Sequence, residues 1–173
     1  SRQDNTPIDA PDLMPTLLSL CGVDIPDGLN GTDFSPTILE GKASGIDRAL
    51  LSLYMPFHEW RYDNGGREYR GLLDDQFTYV RTLEGPWLLY DNQADPQQLN
   101  NLIDEPSRAA TVRELDDALT ARLAAVGDDF ASGPAIIARE GYATGPNGDI
   151  AVMPGEMLEP YQPGKIPVVF VHG

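Results

Sequence analysis

Three apolar runs set almost end to end constrain this chain more than any other feature. Glu68–Leu73, Phe77–Leu83 and Trp87–Tyr90 are separated only by Asp74-Asp75 with Gln76 and by Glu84-Gly85-Pro86. Connections that short are hairpin turns, so neighbouring runs pair antiparallel; parallel pairing needs a long crossover. In the middle run Phe77, Tyr79 and Arg81 alternate with Thr78, Val80 and Thr82, the pattern of a half-buried strand. Ala49–Met55 is a fourth short apolar run upstream. A small sheet with one bare apolar face is not stable alone and needs a helix or a second domain against it. Ser107–Val126 fits that need. Val112, Leu115, Leu119, Leu123 and Val126 form one helical stripe, with Pro106 marking the start and Gly127 the stop.

Upstream, Asp12–Cys21 reads as a helix. Asp12 is its expected N-cap, Pro15 falls in the first turn, and Gly22 ends it. Leu13, Leu17, Leu20 and Cys21 share one face, so Cys21 is expected to be a buried structural thiol. Residues 24–47, rich in proline and glycine, read as a long surface connection with at most one helical turn near Pro36–Leu39. Beyond 127 only Ala135–Glu140 has helical character. The expected organisation is therefore 1–48, then an antiparallel-sheet unit over 49–130, an irregular tail or linker over 131–165, and a separate start at 166–173. The chain opens on a polar stretch at Ser1 and closes on an apolar run reaching Gly173. A buried-strand pattern cut at its end leads us to expect a fragment of a longer protein.

Chemistry is sparse. Acidic residues number 27 against 12 basic ones, a formal net charge of -15. That balance repels polyanions, so neither nucleic acid nor an anionic membrane is an expected partner, and no apolar run approaches membrane-span length. A single cysteine excludes an intrachain disulfide and a Cys-rich zinc site. There is no P-loop, no dinucleotide fingerprint and no Gly-x-Ser-x-Gly elbow. The richest stretch is 56–70, joining two expected strands. It holds His58, Trp60, Arg61, Tyr62, Arg67 and Arg70, so three of the few cations fall in one short loop. Arginine binds oxyanions bidentately and aromatic rings stack on sugars. His58, Trp60, Arg61 and Arg70 are therefore the candidate substrate-proximal residues. A stand-alone β-rich binding module using this loop is one functional reading.

Two motifs point to another. Asp12-Leu-Met-Pro-Thr-Leu-Leu-Ser-Leu-Cys-Gly22, with the turn after it, resembles a segment of the type I sulfatase family, in the alkaline-phosphatase-like superfamily. Leu89-Tyr-Asp91, Asp95-Pro96 and Leu99-Asn-Asn-Leu102 resemble the pattern leading into that family's final helix. Gln98 stands where the family often has Glu. The resemblance implies an α+β fragment: the end of an α/β catalytic core, then a four-stranded antiparallel sheet packed by a C-terminal helix. It implies structural roles for Asp12, Pro15, Thr16, Tyr90, Asp91, Asp95, Pro96 and Asn101. For the parent enzyme it implies sulfate-ester hydrolysis with formylglycine and calcium, and often export to the periplasm or beyond. Formylglycine arises from Cys or Ser in a C/S-x-P/A-x-R motif, which Cys21-Gly-Val-Asp-Ile does not match. No catalytic or metal residue can be carried onto this chain. Its expected partners are its own N-terminal catalytic domain and a sulfate ester; the fragment alone is expected to be inactive. A phosphoester-processing relative is a further reading. Ile166-Pro-Val-Val-Phe-Val-His-Gly173 also resembles the strand leading into the oxyanion loop of α/β-hydrolases.

Overall fold

The computed structural model describes residues 6–56 and 60–142. His58, the expected linker after 142 and the hydrolase-like run 166–173 lie outside the described residues. By contacts the chain divides into two compact units, 1–135 and 136–173. The first two segments expected from sequence fall within the first unit.

That unit is built on a four-stranded sheet in the order β1-β2-β3-β4. The strands are β1 (Ala49–Leu53), β2 (Tyr69–Leu73), β3 (Phe77–Thr82) and β4 (Gly85–Asp91). All neighbouring pairs are antiparallel, as the short turns require of β2–β3 and β3–β4. Asp74 closes the β2–β3 turn by accepting from the backbone N–H groups of Gln76 and Phe77 at 2.9 and 2.6 Å. Leu72, Tyr79 and Leu89 are cross-strand partners in register, so their side chains line one face.

A single 3-10 turn, Pro106–Arg108, leads into α3 (Ala109–Val126). Leu115, Leu119 and Leu123, spaced by four, set their side chains against Leu72, Tyr79 and Leu89, and these six buried residues are the core. Val126, expected to extend the stripe, is 50% exposed. It ends the last turn, where Gly127 in the left-handed region caps the helix. Polar contacts fix the packing. The Tyr79 hydroxyl donates to Asp116 at 2.7 Å, and Arg81 donates to the same carboxylate at 3.0 Å. Burial, then the adjacent Asp116 carboxylate, pushes the Tyr79 hydroxyl well above the ordinary tyrosine range.

The free edge of β4 is covered by a side chain acting as backbone. Asn101 accepts from the Leu89 N–H at 2.9 Å and donates to the Trp87 carbonyl at 3.0 Å. The Leu102 N–H then donates to the Leu89 carbonyl at 2.8 Å. Asn101 thus gives β4 the pairing that a fifth strand would have given. Before it, Asp91 and Asp95 organise the turn. Asp91 accepts from the Ala94 N–H at 3.1 Å and faces Arg108 at 3.4 Å; Asp95 accepts from the Asn100 N–H at 2.8 Å. Pro96 follows in that turn. Tyr90 lies on the sheet face away from α3, beside its cross-strand partner Thr78.

The upstream part departs from expectation. Helix α1 spans Ala10–Leu20, capped by Asp9 rather than by Asp12. Asp12 is the third helical residue and closes a capping box, accepting from the Asp9 N–H at 2.8 Å. Its other oxygen accepts from the Thr32 N–H at 2.6 Å. The earlier start places Pro15 inside the helix rather than in its first turn. The Pro11 carbonyl, deprived of a donor at residue 15, is backed closely by Gly31. A Cβ at Gly31 would lie 2.2 Å from that oxygen. Thr16 accepts from the Phe34 N–H at 3.0 Å, tying 32–35 onto the helix. Within the connection, α2 (Ser35–Glu40) follows a fully buried Phe34.

The burial of α1 is the reverse of what its periodicity suggests. Asp12, Pro15 and Thr16 are buried, whereas Leu13, Met14 and Leu17 are 55, 55 and 60% exposed. Cys21, expected to be buried, is exposed. The reason is local: the polar residues of α1 hold the 31–35 connection against it, so its apolar face is turned outward. The last helix, α4 (Gly133–Glu140), begins in the first unit and ends in the second.

Candidate functional site

The loop before β2 is closed by its own backbone. The Asn64 and Gly66 N–H groups both donate to the Arg61 carbonyl at 2.9 Å, and the Gly65 N–H donates to the Tyr62 carbonyl at 3.1 Å. Gly65 is left-handed, φ 83°. Gly66 has no room for a side chain, since a Cβ would sit 1.9 Å from the Trp60 carbonyl oxygen. Residues 60–66 therefore form a compact turn, and Trp60 takes a defined place.

The far end of the loop is anchored by a buried carboxylate. Glu68, 4% exposed, accepts from the Tyr62 hydroxyl at 2.5 Å and from the Gly133 N–H at 2.6 Å. Burial, then the neighbouring Glu68 carboxylate, raises the Tyr62 hydroxyl far above its ordinary value. Arg70 is an interior residue with no exposed surface. It donates to Asp128 at 2.5 and 3.3 Å and to the carbonyls of Leu53 and Tyr69 at 3.0 and 2.9 Å. Its guanidinium lies against the rings of Tyr54 and Phe130, 3.9 and 4.7 Å from their centroids. Burial alone would raise the Asp128 carboxyl, but Arg70 and the Phe130 N–H override it and hold it below the usual range. Arg70 thus belongs to the framework beneath the loop. Arg61 lies on its surface, paired with Asp63 at 2.8 Å.

The sequence-predicted set is therefore split: Trp60 and Arg61 are at the surface, and Arg70 is inside. What the structure adds is Trp87. Its ring stacks on Trp60, 6.0 Å between centroids at 15°, and Tyr69 is tilted against both at 6.0 and 6.4 Å. The Arg67 guanidinium lies 5.3 Å from the Trp87 centroid. Strict alternation would point Trp87 the same way as Leu89, into the α3 core. The β3–β4 register shifts between Val80 and Arg81, next to Pro86, which cannot donate to the ladder. The irregularity turns Trp87 to the opposite face, where Tyr69 lies. Gly85-Pro86 at the start of the strand was the available signal.

Elsewhere a cavity of about 230 Å³ lies between residues 45–48 and α3, lined by Arg48, Arg122 and Leu72 among others. Its cations already face carboxylates: Arg48 is 3.1 Å from Asp74, and Arg122 is 3.9 Å from Asp9. Among the described residues no three acidic, histidine or cysteine side chains converge as a metal would need. These residues do not fit the calcium that the family resemblance implies.

A sheet closed by one helix, preceded by the α1 segment, is matched over residues 2–125 by the family described as N-sulphoglucosamine sulphohydrolase, C-terminal. The chain belongs to the type I sulfatases of the alkaline-phosphatase-like superfamily, as a C-terminal portion. It is 39% identical over 143 residues to an ulvan-active sulfatase of Formosa agariphila, covering 83% of this chain and 27% of that protein. A solved structure described under the metabolism of multiple glycosaminoglycans by Bacteroides thetaiotaomicron superposes with TM-score 0.59 at 27% identity. That match covers 80% of this chain and 31% of the other. A phosphonate monoester hydrolase of Silicibacter pomeroyi matches with TM-score 0.55 at 25% identity, covering 69% of this chain and 25% of its own. The chain thus spans about 27% of the length of the ulvan-active sulfatase.

Proposed function

We propose that this chain is the C-terminal part of an enzyme that hydrolyses sulfate esters, with formylglycine and calcium held by a preceding catalytic domain. The chain buttresses that domain and lines one side of its substrate cleft. The observation that carries the reading is the outward apolar face of α1. Leu13, Leu17 and Leu20 line it, and Ile38 and Leu39 of α2 add 51 and 70% exposed side chains. Such a face is costly in water and suits a large apolar partner. The preceding domain is the partner proposed here. A sulfuryl-transfer site must gather cations around a transferring anion, and a chain at -15 offers no such field.

The test compares the 173-residue chain with its longer parent. The chain should release no 4-nitrophenol from 4-nitrophenyl sulfate, and the parent should. Turnover by the chain alone would refute the division of labour. The match to a phosphonate monoester hydrolase supports a second reading, that the parent cleaves phosphonate or phosphate esters. A parent that prefers a phenylphosphonate ester to the aryl sulfate would establish it.

A further inference from the structure

We propose that Trp60, Trp87, Tyr69 and Arg67 form a binding subsite for an anionic pyranoside. A sugar unit would stack on the exposed indole surface, and its sulfate or carboxylate would be held by Arg67. This deepens the reading above by naming a substrate class, and rests on it only for that class.

Four observations carry the proposal. The two tryptophans are the chain's whole complement, and they stack on each other from a loop and a strand far apart in sequence. All three rings remain partly exposed, so the cluster is a surface platform and not a second core. The platform is built: the strand irregularity turns Trp87 out, and the Gly66 close approach fixes Trp60. Finally, Arg67 presents an exposed guanidinium at the platform. Among the described cations, Arg48, Arg61, Arg70, Arg81, Arg108, Arg122, Arg139 and Lys42 all face carboxylates. Exposed Arg67, held over Trp87, forms no salt bridge among the described residues, and neither does Arg113 on α3. Glu84, at the adjacent turn, accepts from the Thr82 hydroxyl at 2.7 Å; that bond first, and the Arg67 charge as well, hold its carboxyl below the usual range. An exposed guanidinium beside aromatic faces suits a ligand that is a ring and an oxyanion at once.

Because both tryptophans are in the platform, fluorescence excited at the indole edge reports on this site alone. The 173-residue chain is titrated with a heparin-derived tetrasaccharide, its fully desulfated counterpart, neutral cellotetraose and sodium sulfate. The expected result is a saturable emission change with the sulfated tetrasaccharide. Arg67→Gln, at an exposed position that should not disturb folding, weakens that binding about tenfold, the size of a lost charge-assisted hydrogen bond. Trp60→Ala, with its fold checked by circular dichroism, weakens it at least as much. Binding of the desulfated form would assign the anion contact to carboxylate; binding of the sulfated form alone would assign it to sulfate. The proposal is overturned by no response to either charged sugar at millimolar concentration. It is equally overturned by equal binding of cellotetraose, by an identical response to sodium sulfate, or by an unaltered affinity in Arg67→Gln. A parent that cleaves sulfate esters while the platform fails these tests refutes this inference alone; a platform that binds in a parent without that activity refutes the other.

Discussion

Replacing Asp128 by asparagine removes one negative charge from beneath the loop and little else. Asparagine keeps the shape and one acceptor oxygen, so the contact now made by the Phe130 N–H at 2.8 Å can persist. Arg70 is left with no exposed surface and no counter-ion. Breaking one side of a buried pair costs about 3–5 kcal/mol, because the remaining charge stays buried. The Leu53 and Tyr69 carbonyls still accept from Arg70. The Tyr54 and Phe130 rings stay against Arg70 in both forms, so their attraction cancels in the difference. The expected loss therefore stays at about 3–5 kcal/mol, a large share of the roughly 5–15 kcal/mol that holds a domain folded. Asp63→Asn is the internal reference. It breaks a pair whose side chains are 56 and 64% exposed, and pairs of that kind contribute only about 0–1 kcal/mol. Urea unfolding followed by far-ultraviolet circular dichroism gives both values, with the slope checking that each variant unfolds from the same state. The combined replacement Arg70→Met with Asp128→Leu should recover most of the loss. A cost for Asp128→Asn no larger than that for Asp63→Asn would refute the reasoning.

Tyr79 should make the sheet–helix unit sensitive to alkali. Its hydroxyl titrates higher when folded than unfolded, so its contribution is complete below about pH 10 and fades as pH rises further; Tyr79→Phe should flatten that alkaline decline in urea midpoints between about pH 9 and 11, and parallel declines would count against it. Gly66→Ala should displace the 60–66 turn, since the added Cβ meets the Trp60 carbonyl at 1.9 Å; proteolysis at the loop should quicken and tryptophan emission should shift, while an unchanged spectrum would show that the turn adjusts freely.

Local chemistry alone determined much of this protein. The turns of two and three residues forced antiparallel order from β2 to β4, and the spacing of Leu115, Leu119 and Leu123 picked out the helix face that closes the sheet. Both are short-range facts, settled by turn length and helical period. The motif around Asp91, Asp95 and Asn101 likewise carried the family, and the structure supplies its reason in the capped edge of β4. Tertiary structure decided the rest. Periodicity shows that α1 has an apolar face but not what covers it. The buried bonds of Asp12 and Thr16 to residues 32 and 34 turned that face and Cys21 outward. Arg70 and Arg61 look alike in sequence. Only the position of Asp128, 58 residues away, draws one inside, while Arg61 finds Asp63 two residues on and stays in water. Trp60 and Trp87 meet because one register shift overrides strand alternation. Such outcomes depend on long-range partners whose distances no local pattern encodes.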